Sequence, residues 1–378
     1  MKHFGTTSLS AFLGDFIVYR TLTPMDPRLP RLGDLRAAVG LQGGDLPRKS
    51  EPAYARVMVY LLQRARGLDA PRARIRRLVY IGDTRMNDGT AFTNLCRAGD
   101  WPGVVFIGAE TADPAQVDVI EAEGRVWVLA NRWSALSDLE AICTEHGVPI
   151  DEQTAVVIDL DKTALGARGR NDHVINRVRL EASRETVAEA LGPAFDATAF
   201  RRAYDRFNQS AFHPFTTDNQ DYLVYLCLMV GSPLYEVETL VAAIRGGRFE
   251  TFAQFMAEVE ARAHALPSRL REVHAHVYAR VQQGDPTPFK AFRRREYKAT
   301  VARMDCTSAD SVTQLLDESL VITEEVRRLA LRWRRQGALL FGLSDKPDEA
   351  SLPTPALAEQ GYLPIHQINT HVVGEGDA

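Results

Sequence analysis

The stretch TAVVIDLDKTA (154–164) decides the fold of this 378-residue chain. It begins as a nearly continuous apolar run and ends in Asp159, Asp161 and Thr163. Such a run, rather than an alternating one, is typical of a strand buried on both faces of a parallel sheet. Open α/β sheets bind ligands beyond the carboxyl ends of their strands. The stretch therefore predicts a central strand with candidate functional residues at its end.

Four further apolar runs predict more buried strands: RRLVYIGD (76–83), GVVFIGAE (103–110), GRVWVLAN (124–131) and GALLFGLS (337–344). Helical patterns lie between most of them, such as 50–66 and 134–147. Alternation of strands and helices favours a doubly wound, Rossmann-like parallel sheet. We therefore expect an α/β fold.

The interval between Thr163 and Gly337 interrupts this alternation. It contains no convincing buried strand and is helical in pattern. We interpret residues 164–336 as a helical domain inserted between two strands, with residues 1–163 and 337–378 forming the α/β core.

Composition limits the classes of partner. Hydrophobic residues make up 45% and charged residues 25% of the chain, which allows a sizeable core. The formal net charge of -4 disfavours general binding to nucleic acid or to an anionic membrane surface. The most apolar run, YLVYLCLMVG (222–231), is too short to span a bilayer.

The cysteines indicate the compartment. They form no CxxC pair and lie in helical or apolar surroundings, at Cys96, Cys143, Cys227 and Cys306. The N-terminus also lacks the apolar core of a secretion signal. We expect reduced core thiols in a cytoplasmic protein.

Polar residues follow three of the predicted strands. They are Asp83 and Asp88, Asp159 and Asp161, and Ser344, Asp345 and Lys346. Each alone is a common turn or helix-cap residue. Their joint occurrence directly after buried strands favours a functional site at one edge of the sheet. Crowded carboxylates need a cation, and ligation by oxygen alone favours Mg²⁺.

These motifs resemble those of the haloacid dehalogenase-like (HAD) superfamily of phosphohydrolases. VVIDLDKTA (156–164) is similar to the first motif, a strand followed by Asp-x-Asp-x-Thr. LVYIGDTRMND (78–88) is similar to the fourth, Gly-Asp with a second acid five residues later. GALLFGLS (337–344) resembles the second, and RKSEPAYARVMVYLLQRA (48–65), in which a lysine precedes a helix, resembles the third. The first and fourth are the specific ones.

The order of the motifs departs from that of the family, which runs from first to fourth. Here the third and fourth come before the first, the insertion and the second. This resembles a circular permutation, which a fold tolerates when the break lies in a surface loop. The segment LPIHQINTHVVG (363–374) is then a candidate for the strand that normally precedes the third-motif lysine.

Two lysines are candidates for the third-motif position. Lys49 precedes a helix and the fourth motif, whereas Lys346 lies beside the second motif. We prefer Lys49 because its downstream context matches over more residues, and Lys346 remains the alternative.

The resemblance implies a set of catalytic roles. Asp159 would attack phosphorus and form an aspartyl phosphate, and Asp161 would act as general acid and then as general base. Ser344 and the lysine would bind phosphoryl oxygens. Thr163 would fix the loop after the nucleophile.

The resemblance also implies a magnesium site. The ligands would be the Asp159 carboxylate, the backbone carbonyl of Asp161 and the Asp83 carboxylate, with Asp88 acting directly or through water. The inserted helical domain would be a cap that closes over the site and selects the substrate.

We therefore expect a magnesium-dependent phosphohydrolase that acts on a small phosphorylated metabolite. The presence of Asp161 favours phosphate esters, because relatives that cleave carbon–halogen bonds need no acid there. A phosphotransferase or phosphomutase on the same residues is an alternative, and a non-catalytic binding protein that keeps the fold is another. The substrate and the oligomeric state are not readable from the sequence.

Overall fold

The computed structural model describes residues 1–44, 46–304 and 311–376. The chain divides into two compact units, the first comprising Met1–Asn176 with Thr300–Ala378 and the second Arg177–Ala299. The sequence pattern predicts an insertion from 164 to 336, which is longer than the second unit. The flanking segments 164–176 and 300–336 belong to the first unit instead.

The described residues form ten strands, all in the first unit: β1 (Lys2–Thr7), β2 (Ile17–Val18), β3 (Arg77–Gly82), β4 (Gly103–Gly108), β5 (Val117–Ala122), β6 (Arg125–Ala130), β7 (Thr154–Asp159), β8 (Ile322–Thr323), β9 (Leu339–Leu343) and β10 (Thr370–Gly374).

They also form sixteen α-helices: α1 (Leu9–Leu13), α2 (Leu32–Leu35), α3 (Pro52–Asp69), α4 (Thr90–Gly99), α5 (Leu139–Glu145), α6 (Asp172–Leu191), α7 (Ala197–Phe207), α8 (His213–Thr216), α9 (Gln220–Val230), α10 (Val237–Arg245), α11 (Phe252–Ala261), α12 (Ser268–Gln282), α13 (Lys290–Met304), α14 (Val312–Glu318), α15 (Glu324–Arg335) and α16 (Pro355–Ala358).

Seven strands form one sheet in the order β2-β9-β7-β3-β4-β6-β5. All neighbours are parallel except β5 and β6, which pair antiparallel. The α/β fold and all five predicted strands are confirmed. The three strands that carry the first, second and fourth motif-like segments, β7, β9 and β3, are parallel neighbours at the centre of the sheet, as predicted.

The central strands are buried because helices flank the sheet. Every residue of β4 and of β7 is buried, as the continuous apolar runs indicated. Residues of α3 and α4 share one core cluster with Tyr80 and Val157. Elsewhere in the core, the rings of Phe106 and Trp133 lie 6.1 Å apart, and α15 packs near β9.

A second sheet has three strands in the order β1-β10-β8. The segment 363–374, the candidate for the strand that normally precedes the third-motif lysine, contains strand β10, but β10 pairs with β1 and β8 and is not part of the seven-stranded sheet. The strand beside β9, on the side away from β7, is β2. It is only two residues long, and no apolar run in the sequence marks it. Strand β8 was also unexpected, since it too has two residues.

All the regular secondary structure of the second unit, residues 177–299, is helical. Its central helix α9 is buried along most of its length, which explains the apolar run at 222–231. Aromatic side chains dominate the core around it, among them Phe215, Phe252 and Phe255.

The second unit also buries a group of charged side chains. Arg293 Nε and Nη2 lie 2.7 and 2.6 Å from Asp221 Oδ2, and its Nη1 donates to Glu296 Oε2 at 2.7 Å. Arg179 Nε donates to the other oxygen of Glu296 at 3.2 Å. An arginine therefore lies against each buried carboxylate.

The cysteine prediction can be compared with three of the four residues. Cys96, Cys143 and Cys227 are buried and unpaired by disulfides, whereas Cys306 lies outside the described residues. Among the described residues, no helix combines the length and the apolar character that crossing a membrane requires.

Candidate functional site

Two adjacent parallel strands bring the candidate carboxylates together. Asp159 is the last residue of β7, and Asp83 directly follows Gly82, the last residue of β3. The two strands are in register up to Ile81 and Ile158, so their carboxyl ends meet at one edge. Asp83, Asp88 and Asp159 each offer an oxygen atom, and these atoms lie within 4.8 Å of one another. Carboxylates roughly 4–6 Å apart can share one cation, so the three are close enough to do so.

Lys49 lies among these carboxylates. Its Nζ is 2.5 Å from Asp159 Oδ1 and 2.6 Å from Asp88 Oδ1, and its side chain is only 5% exposed. Lys346, the alternative, is also buried, with its Nζ 3.9 Å from Asp161 Oδ1. Both lysines therefore lie at this edge, but Lys49 is the one that contacts Asp159.

The electrostatics of this group depend on burial. Burial raises the pKa of Asp159, Lys49 opposes that rise, and Asp88 and Asp83 add to it, so the pKa lies well above its usual range. Burial also raises the pKa of Asp83 to about 7, with a further contribution from Asp88 and an opposing one from Arg168. Burial would lower the pKa of Lys49, but the negative charges of Asp159 and Asp88 raise it well above its usual range. Lys49 therefore stays charged, and the raised pKa values of Asp159 and Asp83 reflect burial and the crowding of carboxyl groups around it.

Asp88 is held by several donors. Its Oδ2 accepts from Asp83 N, Thr84 N and Thr84 Oγ1 at 2.8–3.0 Å, and its Oδ1 accepts from Tyr80 OH at 3.1 Å as well as from Lys49. Burial would raise the pKa of Asp88, but the charge of Lys49, together with hydrogen bonds from Lys49, Asp83 and Thr84, lowers it to about 2. Asp88 therefore fixes the turn that presents Asp83.

Gly82 is required for this arrangement. A Cβ atom at this position would lie 2.5 Å from the Cβ of Asp88, so every residue other than glycine would clash there. The Gly-Asp pair at the end of β3 is thus explained by the close return of Asp88, carried by the π-helical turn Arg85–Gly89.

The loop after β7 is tightly turned. Lys162 has φ of 67°, the left-handed region that residues other than glycine rarely adopt. Ala164 N donates to the carbonyl of Asp159 at 3.2 Å, and Thr163 Oγ1 donates to Asp159 Oδ2 at 3.2 Å. Thr323 Oγ1 in turn donates to the carbonyl of Thr163 at 2.6 Å. Thr163 thus contacts the Asp159 carboxylate through its side chain and Thr323 through its backbone carbonyl.

Asp161 and Ser344 flank Asp159 along the sheet edge. The Asp161 side chain is 21% exposed, compared with 7% for Asp159. Ser344 is buried and follows Leu343, the residue opposite Asp159 on β9. Its hydroxyl accepts from the backbone N–H of Lys346 at 3.0 Å. Ser344 therefore lies at the expected edge.

Three residues at the site escaped the sequence analysis. Arg168 Nε donates to Asp83 Oδ2 at 2.6 Å. Tyr80 contacts Asp88, and Arg20 Nη1 donates to the carbonyl of Pro47, two residues before Lys49, at 2.9 Å. Tyr80 lies within a motif-like strand, but nothing in the sequence marks Arg20 or Arg168, because their contacts join distant segments.

The donor set fits Mg²⁺. Two oxygens bound to one magnesium ion at ~2.1 Å lie roughly 3–4 Å apart, so the three carboxylates need to close by only a small shift. All donors are oxygen atoms, and the buried carboxylates outnumber Lys49 and Arg168. A small divalent cation would stabilise the ionised form of all three carboxylates.

Comparison with known proteins adds no relative. No family model, no curated protein and no solved structure matches this chain. The function therefore has to be argued from the geometry of the site.

Proposed function

We propose that this chain is a magnesium-dependent phosphohydrolase of the HAD type that acts on a small phosphorylated metabolite through Asp159. The observation that carries the proposal is the buried group of Asp83, Asp88 and Asp159 around Lys49, at the ends of two neighbouring parallel strands. Keeping three carboxylates so close in the interior is costly for stability. A cation and a phosphate group account for that cost.

Asp159 is oriented as a nucleophile. Lys49 binds its Oδ1 and Thr163 binds its Oδ2, so the carboxylate plane is fixed. In the proposed first step an Asp159 oxygen forms a bond to phosphorus while the phosphorus–oxygen bond to the leaving group breaks. The product of this step is an aspartyl phosphate and a free alcohol.

Asp161 is the proposed proton donor. Its greater exposure suits a group that meets the leaving oxygen, and Lys346 lies 3.9 Å away. Asp161 in its acid form gives a proton to the leaving oxygen, and its carboxylate then takes a proton from water. That water attacks phosphorus and breaks the bond to Asp159, which restores the carboxylate and releases phosphate.

Asp159, Asp83 and the backbone carbonyl of Asp161 are the proposed ligands of Mg²⁺, with Asp88 acting directly or through water. When bound, the ion supplies neutralisation of charge on the phosphoryl oxygens. Lys49 and Ser344 are proposed to bind those oxygens as well. The helical unit Arg177–Ala299 is proposed to select the substrate as a cap domain.

Phosphate release from a generic aryl phosphate tests the function. We expect turnover with Mg²⁺, none with excess chelator, and recovery when Mg²⁺ is restored. Calcium should substitute poorly because its coordination is larger and looser. Full activity in excess chelator would contradict the metal assignment, and absence of turnover over a panel of phosphorylated metabolites would favour the binding-protein alternative.

The same assay separates hydrolysis from transfer. Adding an alcohol or a second metabolite as acceptor should leave the yield of free phosphate unchanged if water is the acceptor. A phosphorylated acceptor formed in place of free phosphate would identify a phosphotransferase on the same residues.

A further inference from the structure

The backbone around Arg168 is firmly anchored. Its carbonyl accepts from Glu110 N at 2.9 Å and from Trp133 Nε1 at 3.1 Å, and its N–H donates to the carbonyl of Lys162 at 2.8 Å. The next residue, Gly169, has φ of +77°, and a Cβ there would lie 2.0 Å from the carbonyl oxygen of Glu110. Neither the loop after β7 nor the loop after β4 can shift without breaking these contacts. Arg168 therefore projects its side chain from a fixed point.

The guanidinium of Arg168 contacts Asp83. Nε and Nη2 each lie 2.6 Å from Asp83 Oδ2. The Arg168 side chain is 36% exposed, whereas Asp83 is 8% exposed and Lys49 5%. The site thus has two cations of different kinds. Lys49 is enclosed between Asp159 and Asp88, whereas the side chain of Arg168 is partly exposed and contacts Asp83 from the solvent side.

The charges at the site indicate a role for the greater exposure of Arg168. When all three carboxylates are ionised, as a bound cation would favour, they exceed Lys49 and Arg168 by one charge. Arg168 uses an oxygen of Asp83, the carboxylate proposed to bind the cation. Guanidinium also matches phosphate oxygens in a two-donor geometry that ammonium cannot provide.

We infer that Arg168 is an exchangeable counter-ion, which pairs with Asp83 when no phosphate is present and transfers its guanidinium to the phosphate group when substrate binds. This inference rests on the proposed function and deepens it. Arg168 would keep the carboxylate group from binding cations too tightly before substrate arrives. It would then contribute to substrate affinity as a binding residue.

The inference predicts opposite effects on two ligands. Without the positive charge of Arg168, Mg²⁺ alone should bind more tightly, because Asp83 loses its competing partner. Inorganic phosphate in saturating Mg²⁺ should bind more weakly, because a charge-assisted contact is lost. A residue that merely held the loop in place would weaken both.

Calorimetric titration of the full chain with each probe tests this. For Arg168→Met we expect Mg²⁺ affinity to rise by about three- to tenfold and phosphate affinity to fall by roughly ten- to a hundredfold. Arg168→Lys keeps the charge but not the paired donors, so Mg²⁺ binding should stay within about twofold and phosphate binding should fall by about tenfold. Arg85→Met is the matched control, since it removes the same charge from an exposed side chain that lies over the Trp127 ring, two residues from Asp83.

The outcomes are distinguishable. Equal affinities of wild type and Arg168→Met, or a loss of both ligands in a variant with a native circular dichroism spectrum, would overturn the inference and leave the proposed function standing. The same shifts in Arg85→Met would also overturn it, because they would reflect net charge alone. If wild type binds neither probe, both the inference and the proposed function fail. If Arg168→Met does not fold, the Arg168→Lys titrations decide.

Discussion

The two units bury charge in different ways. In the helical unit, Arg293 lies against Asp221 and Glu296, so each carboxylate has an arginine within hydrogen-bonding distance. At the sheet edge, by contrast, three carboxylate oxygens come within 4.8 Å of one another, around Lys49. The first arrangement offsets like charges, whereas the second concentrates them.

This difference separates charged groups that stabilise the fold from those for which we propose a function. A paired cluster holds helices together and loses stability when a partner is removed. An acid-rich cluster is a cost to the fold that persists when it serves binding or catalysis. The contrast yields four predictions.

The largest effect is expected at Asp159, the proposed nucleophile. Asp159→Asn should lower phosphate release by more than roughly a thousandfold, because an amide cannot attack phosphorus. Its free energy of unfolding should stay within about 1 kcal/mol of wild type or rise, because like-charge repulsion is relieved. Steady-state kinetics and chemical denaturation measure both. Near-normal turnover would refute the mechanism.

The matching substitution in the helical unit should lower the free energy of unfolding instead. Asp221→Asn removes one of the two carboxylates that contact the buried Arg293 and should cost about 3 kcal/mol of unfolding free energy. Urea denaturation with a probe in each unit measures the loss. A change below about 1 kcal/mol would show that the two clusters do not differ in their contribution to the free energy of unfolding.

The two candidate lysines sharpen the comparison within the site. Lys49→Met should lower phosphate release by roughly a hundredfold or more, since Lys49 contacts Asp159 directly. Lys346→Met should lower it by about tenfold, the effect of one charge-assisted contact. Parallel assays of the two purified variants decide between them. The reverse ranking would assign the phosphate-binding role to Lys346.

The smallest effect on turnover is expected for the hydrogen bond with which Thr163 orients the Asp159 carboxylate. Thr163→Val keeps the shape of the side chain but removes its hydrogen bond to Asp159 Oδ2. We expect a loss of about 1 kcal/mol in stability and about a fivefold slower turnover. Thr163→Ser is the control, because it keeps the hydroxyl. An inactive Thr163→Val variant would indicate a chemical role beyond orientation.

Much of the fold was predictable because continuous apolar runs identify strands buried on both faces. Strand β5 was missed since all six of its residues are exposed, so no apolar run marks it. Strands β2 and β8 were missed since two residues carry no periodicity.

The acidic part of the site was predictable for a related reason. Its members follow strands that are neighbours, so their positions along the chain predict their meeting in space. The contact of Arg168 with Asp83 spans 85 residues and depends on how the loop after β7 docks against Glu110. Loop docking leaves no periodic trace in a sequence, and such residues emerge only from coordinates.

The pairing of β7 with β9 has a consequence for the order of folding during synthesis. Strand β7 meets one neighbour, β3, as soon as both are made, but β9 follows only after the whole of Arg177–Ala299. Strand β2, among the first segments made, waits still longer for the same partner. Until then one hydrogen-bonding side of β7 stays unpaired, next to Asp159. The central strand of the nascent chain is therefore exposed on one side until the carboxyl-end edge of the sheet is complete.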